Sequence, residues 1–212
     1  MSTEIGRRRA LQIATLGAAT VAVGAVGTWR SLIAPETSAL DPQPDEHLRE
    51  PLVLSSRDGV LDVGLTAAAG VVMAGRRTRA LGYNGTSPGP TLRVSPGDVL
   101  RVTLANNLDD TTNLHTHGLH VSPEGNSDNV FRMVEPGDSA RYEYTIPSDH
   151  PTGTFWYHPH HHGTVADQMF GGLFGALLVA EPEDAGTAQE RVLVVSDTTL
   201  TDDGEVAAVS RQ

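Results

Sequence analysis

The sequence contains no cysteine. That excludes disulfides and every thiolate-bound zinc site, and it excludes an N-terminus lipidated through cysteine. Lysine is missing as well: all 15 basic residues are arginines, set against 26 acidic residues for a net charge of −11. Nucleic-acid-binding chains carry a basic stripe, so this balance argues against such a surface. It fits a soluble domain with a small-molecule or metal partner. A long amphipathic helical pattern is also lacking throughout, which turns attention to strands.

The 212 residues suit one domain of ordinary size with extra segments. Residues 1–40 read as an export signal and the start of a linker. Arg7-Arg8-Arg9 precede a Gly/Ala/Val-rich run from Ala10 to about Thr28, and the paired arginines suggest the twin-arginine route. The competing reading is an uncleaved anchor, but the run is poor in Leu and Phe and only marginally long enough to span a bilayer. The expectation is therefore an exported protein, in the periplasm, cell envelope or medium, with no stable membrane span after cleavage. Pro and acidic residues at 41–50 mark a linker.

Strand signals begin at Pro51–Ser55 and continue at Val60–Ala67, after the turn Arg57-Asp58-Gly59. The rigid loop Gly82 to Pro90 delivers the chain into Thr91–Val94, and Pro96-Gly97 turns it into the alternating strand Asp98–Leu104. Ala140–Ile146 alternates likewise, and Gly171–Ala180 reads as a buried strand. Strands at short intervals with Pro/Gly turns predict an all-β Greek-key sandwich or barrel. After Glu181 a polar linker runs to Gln189, and the sequence predicts a further apolar strand at Val192–Val195.

Two histidine motifs dominate the chain: Leu114-His115-Thr116-His117-Gly118, and Trp156-Tyr157-His158-Pro159-His160-His161-His162-Gly163 after the strand-like Gly153–Phe155. In a strand, residues two apart face the same way. His115 and His117 would thus share one face, and His158 and His160 one face of theirs; if the strands are neighbours, four imidazoles converge. Neutral imidazole suits copper, zinc, iron or nickel. A lone strand histidine is usually a satisfied polar residue, and a His-rich tract can bind metal loosely. Two separate His-x-His steps, each running into a glycine, point instead to a metal site. Without cysteine, this chain cannot add a His-His-Cys blue copper centre to it.

These motifs, with Tyr83-Asn84-Gly85, Pro88-Gly89-Pro90-Thr91-Leu92-Arg93, Pro96-Gly97-Asp98 and Gly172-Leu173, resemble the first cupredoxin (plastocyanin-like) domain of multicopper oxidases, in the style of bacterial laccases and cuprous oxidases. The resemblance covers about residues 48–183. It implies a cupredoxin domain at 51–183, with 184–212 as linker and first strand of a second domain. It implies copper as cofactor: His115 on the type 2 ion, and His117, His158 and His160 on the type 3 pair of a three-copper cluster that reduces O2 to water. Asp128 resembles the acidic residue that assists proton delivery; an Asx-type turn is the alternative. His161, His162 and His120 fall outside the implied ligand set, and Gln168 is expected to pack or hydrogen-bond. Trp156 reads more as a core aromatic than as a metal shield.

The same resemblance implies partners. The remaining ligands and the blue copper would come from further cupredoxin domains or a partner chain, and this chain alone is expected to be inactive. The alternative is an exported, non-catalytic module that sequesters copper.

Overall fold

The computed structural model describes residues 51–73, 75–180 and 190–207. The expected export segment, the linker at 41–50 and the passage at 181–189 lie outside the described residues. Eleven strands and one short helix make up the described part. They are β1 (Val53–Ser55), β2 (Val60–Ala69), β3 (Val72–Met73), β4 (Arg76–Arg77), β5 (Leu81–Tyr83), β6 (Thr91–Val94), β7 (Val99–Asn107), β8 (His115–His117), β9 (Ser139–Thr145), β10 (Gly153–His158), α1 (Val165–Gly171) and β11 (Gly175–Val179). No described helix is long and apolar enough to cross a membrane.

Two sheets face each other as a β-sandwich. One has the order β5-β2-β7-β9, the other β1-β6-β11-β10-β8, and β3 with β4 forms a small separate ribbon. The first sheet is built on the long parallel pair β2 and β7, with Leu61, Val63 and Leu65 opposite Leu100, Val102 and Leu104. All six are buried, while Asp62 and Thr103 between them are exposed. A one-residue slip would turn each of these side chains into water. Since burying one Leu or Val contributes roughly 1.5–3 kcal/mol, the inward stripe fixes the register.

The second sheet closes the core with Leu92, Val94, Tyr157, Leu177 and Val179. Tyr157 is fully buried, and its hydroxyl donates to the carbonyl of Pro90 at 2.7 Å. Its ring lies on Gly175, where a Cβ would stand 2.3 Å from the ring's Cζ. Only glycine fits beneath that ring. Tyr157 is thereby clamped, and with it the neighbours that β10 sends to the opposite face.

Two expectations change. Gly171–Ala180 is not one strand: α1 runs to Gly171, Gly172 turns the chain at φ 121°, and β11 starts only at Gly175. A helix of seven residues leaves too few turns for its periodicity to be read. Val192–Val195 pairs with no strand. Val192 and Val194 instead line an apolar groove of about 640 Å³ on the outer side of the second sheet, together with Trp156, Phe170 and Phe174.

Candidate metal centre

β8 is the edge strand of the second sheet and pairs antiparallel with β10. Their register sets His158 opposite His115 and Trp156 opposite His117, with Tyr157 opposite Thr116. Directly opposed residues project to the same side. Tyr157 and Thr116 point into the core, so the three histidines and Trp156 share the outer face. The ring centroids stand 5.2 Å apart for His115 and His158, 5.6 Å for His117 and His158, and 5.6 Å for His115 and His117.

One ring nitrogen from each of these three residues lies within 4.8 Å of the others. Nδ1 of His117 is 3.3 Å from Nε2 of His158. Two imidazole nitrogens on a tetrahedral ion, each at about 2.0 Å, stand roughly 3.3 Å apart. The donor set therefore fits a metal that accepts imidazole.

Second partners fix which nitrogen faces inward. His158 Nδ1 lies 2.8 Å from the Pro159 carbonyl, which can only accept, so Nδ1 carries the proton and Nε2 keeps its lone pair. Nδ1 of His115 lies 3.1 and 3.0 Å from the two carboxylate oxygens of Asp128, so its Nε2 is likewise left free. Such outer partners are how metal-binding histidines are held in one tautomer. His158 is buried, and burial foremost, with the neighbouring charges of His115, His117 and His160, lowers its pKa to about 4 despite the Pro159 bond. It stays neutral and ready to coordinate in mild acid.

Asp128 forms no Asx turn. Its Oδ1 accepts the Thr116 amide at 2.8 Å as well as the His115 ring, binding the 122–129 loop to β8. Burial acts to raise its pKa, but the hydrogen bonds from His115 and Thr116 together outweigh it and hold the carboxyl below its ordinary value.

His160 comes to the site differently from the expected shared strand face. β10 ends at His158, because Pro159 has no N–H to continue a ladder. The His160 ring nevertheless lies 5.1 Å from His115 and 6.1 Å from His158, beside the close group of three nitrogens rather than within it.

Trp156 is not a core aromatic. Its ring stacks on His117 at 5.3 Å and lies 4.1 Å from His158, covering the histidine face. Gln168 does hydrogen-bond: it accepts from the Thr112 hydroxyl at 2.8 Å and donates to the Thr111 carbonyl at 3.0 Å. His161 contacts the Thr164 hydroxyl, while His120 and His162 are exposed. His150 is buried, accepting the His120 amide at Nε2 and donating from Nδ1 to Pro151. His47 lies outside the described residues.

Asn113, fully buried, accepts the His160 amide. In sequence it is the last of five polar residues between Leu108 and Leu114, and nothing in the pattern separates it from Thr111 and Thr112.

Comparison with known proteins places these features in a family. A family model described as multicopper oxidase matches residues 66–184. The chain is 33% identical over 190 residues to copper resistance protein A of Pseudomonas syringae pv. tomato, covering 86% of this chain and 27% of that one. It is 31% identical over 143 residues to a multicopper oxidase of Staphylococcus aureus, covering 67% and 29%. Among solved structures, a laccase from Pediococcus acidilactici superposes with a TM-score of 0.63 at 26% identity, over 78% of this chain and 38% of the other. The chain thus spans less than a third of the length of these two sequence relatives.

Proposed function

The chain belongs to the multicopper oxidase family, and on that premise we propose that residues 51–183 form a cupredoxin domain supplying part of the imidazole set of a copper cluster. The observation that carries this reading is the 3.3 Å approach of His117 Nδ1 to His158 Nε2, within a group of three nitrogens no more than 4.8 Å apart. His117 and His158 are close enough to share one ion. In the arrangement that the family resemblance implies, His160, set beside the close group, would serve a second ion of the type 3 pair, and His115 the type 2 ion.

Copper bound by this set would supply one-electron redox chemistry for the reduction of O2. The chain's own residues do the positioning. Pro159 holds the His158 proton on Nδ1, and Asp128 holds the His115 proton on Nδ1, so both Nε2 lone pairs face the site. Trp156 stacks against the rings of His117 and His158 and limits where they can turn. Asp128 is ionised near neutrality and orients the His115 ring through its carboxylate; a part in proton delivery is what the family resemblance implies for it.

Four imidazoles are too few for a three-copper cluster, and a cysteine-free chain has no blue copper through which a reductant's electrons could enter. The remaining ligands and that copper would come from further cupredoxin domains or a partner chain, with residues 184–212 leading toward such a domain. Export through the signal-like segment at 1–40 would put the protein in the periplasm, envelope or medium.

The lack of cysteine also favours a second reading, a copper-sequestering module without turnover. One experiment tests both. The full chain is loaded with copper and assayed for oxidation of a chromogenic phenol, alone and with a cysteine-containing cupredoxin partner. The proposed role predicts bound copper, no turnover alone and turnover with the partner. Turnover by the chain alone contradicts it, and bound copper that stays silent with every partner favours sequestration.

A further inference from the structure

His160 poses a physical problem. Its strand has already ended, Pro159 cannot donate to a neighbour, and the residue is exposed. A loop histidine of this kind samples many positions, and ordering it as a metal ligand costs conformational entropy on binding. Something other than sheet pairing must hold it.

The holder is Asn113. Its side chain is fully buried and uses both ends of the amide. Oδ1 accepts the backbone N–H of His160 at 2.6 Å, and the Nδ2 amine donates to the Val130 carbonyl at 2.6 Å. One short side chain thus joins the His160 loop to the stretch that follows Asp128, across the base of β8. Swapping the amide would set donor against donor at His160 and acceptor against acceptor at Val130, so only one orientation serves both.

The same short segment grips α1, which follows the loop. Gln168 bonds to Thr112 and Thr111, and the Thr164 hydroxyl donates to the Thr111 carbonyl. Residues 111–113 therefore replace the missing ladder beyond His158. Gln168 and Thr164 hold the far side of the loop, and Asn113 alone takes hold at His160 itself.

We propose that Asn113 is a positioning residue for the copper site, pinning the His160 backbone amide and tying it to the Asp128 loop so that the last imidazole is set before metal arrives. This rests on the reading of His160 as a copper ligand. It also predicts that His160 and Asn113 are energetically coupled although their side chains do different jobs.

The test uses the full chain. First, amide hydrogen exchange is measured on the metal-free protein. The His160 amide should be protected although the residue is exposed, and Asn113→Ala should abolish that protection. Second, Cu(II) affinity and the electron paramagnetic resonance spectrum are compared for wild type, Asn113→Ala, His160→Ala and the double variant. Asn113→Ala should weaken copper about 10–100-fold, the range for loss of an outer partner of a ligand. It should shift the spectrum toward that of His160→Ala, and the double variant should lose no more than His160→Ala alone. Asn113→Asp keeps the acceptor for His160 and should keep the wild-type spectrum, even if it is less stable.

An unprotected His160 amide in the wild type overturns the proposal without any variant having to fold. So does a folded Asn113→Ala with wild-type affinity and spectrum, which would leave Asn113 a purely structural residue. If the wild type takes up no Cu(II) while the His160 amide stays protected, the copper reading fails and takes the positioning role with it, leaving only the hydrogen bond.

Discussion

The carboxylate of Asp128 lies 3.0 Å from Nδ1 of His115 and also accepts the amide of Thr116, the residue between the two histidines of β8. One side chain therefore orients a ring and anchors the strand that carries it. Removing it in Asp128→Ala should free the His115 ring and weaken Cu(II) binding about 10–100-fold, read by competition with a chromophoric chelator. Asp128→Asn keeps an acceptor but not the charge, and should fall between that variant and wild type. Equal affinity in all three would show that His115 needs no such partner.

Acid should act on the metal-free protein in two stages. The folded pKa of His158, about 4, lies below the ordinary 6.5, so the unfolded chain takes up a proton that the folded chain resists. Stability is then fully present above about pH 6.5 and falls as pH drops toward 4. Asp128 is also lowered, from 3.8, so its contribution is present above that value and is lost as pH falls through its folded pKa. Denaturant midpoints measured across pH should lose the first stage in His158→Gln and the second in Asp128→Asn. A midpoint flat from pH 7 to pH 4 in the wild type contradicts the assignment to His158.

Trp156 should report on the site directly. It stacks on His117 and lies 4.1 Å from the His158 ring, and the only other tryptophan in the chain is Trp29. In a Trp29→Phe background, Cu(II) should quench most of the emission by proximity while Zn(II) should not. Unquenched emission with copper bound would place the metal away from this face.

Gly175→Ala should destabilise the sandwich by about 1–3 kcal/mol, since the new methyl would stand 2.3 Å from the Tyr157 ring. Displacing Tyr157 also disturbs Trp156 and His158 on either side of it along β10. Thermal melting should therefore fall together with copper affinity. A normal melt would mean that the ring shifts at little cost.

The parts legible in the sequence are those with a period. Alternation marks β7 and β9, because their inward residues must reach one core. The two His-x-His steps gave the shared face of β8 for the same reason. The spacing predicts that His160 continues its strand, but Pro159 ends the ladder and side-chain hydrogen bonds take over. Such bonds have no period, and so Asn113 and the grip of Gln168 on residues 111–112 could not be read from spacing. Alternation puts Trp156 on the face of His158, two residues along, without saying which face is buried. The register with His117 decides that, and it is a property of the paired strands.

The most direct test of the account is copper binding by the full chain with the imidazoles removed. Cu(II) uptake is measured with the paramagnetic resonance spectrum for wild type, for His117→Ala with His158→Ala, and for a chain lacking His115, His117, His158 and His160. The account predicts tight uptake with nitrogen hyperfine structure in the wild type, at least about a tenfold loss in the double variant and no specific site in the last. Undiminished uptake with an unchanged spectrum in the chain lacking all four rings would contradict it.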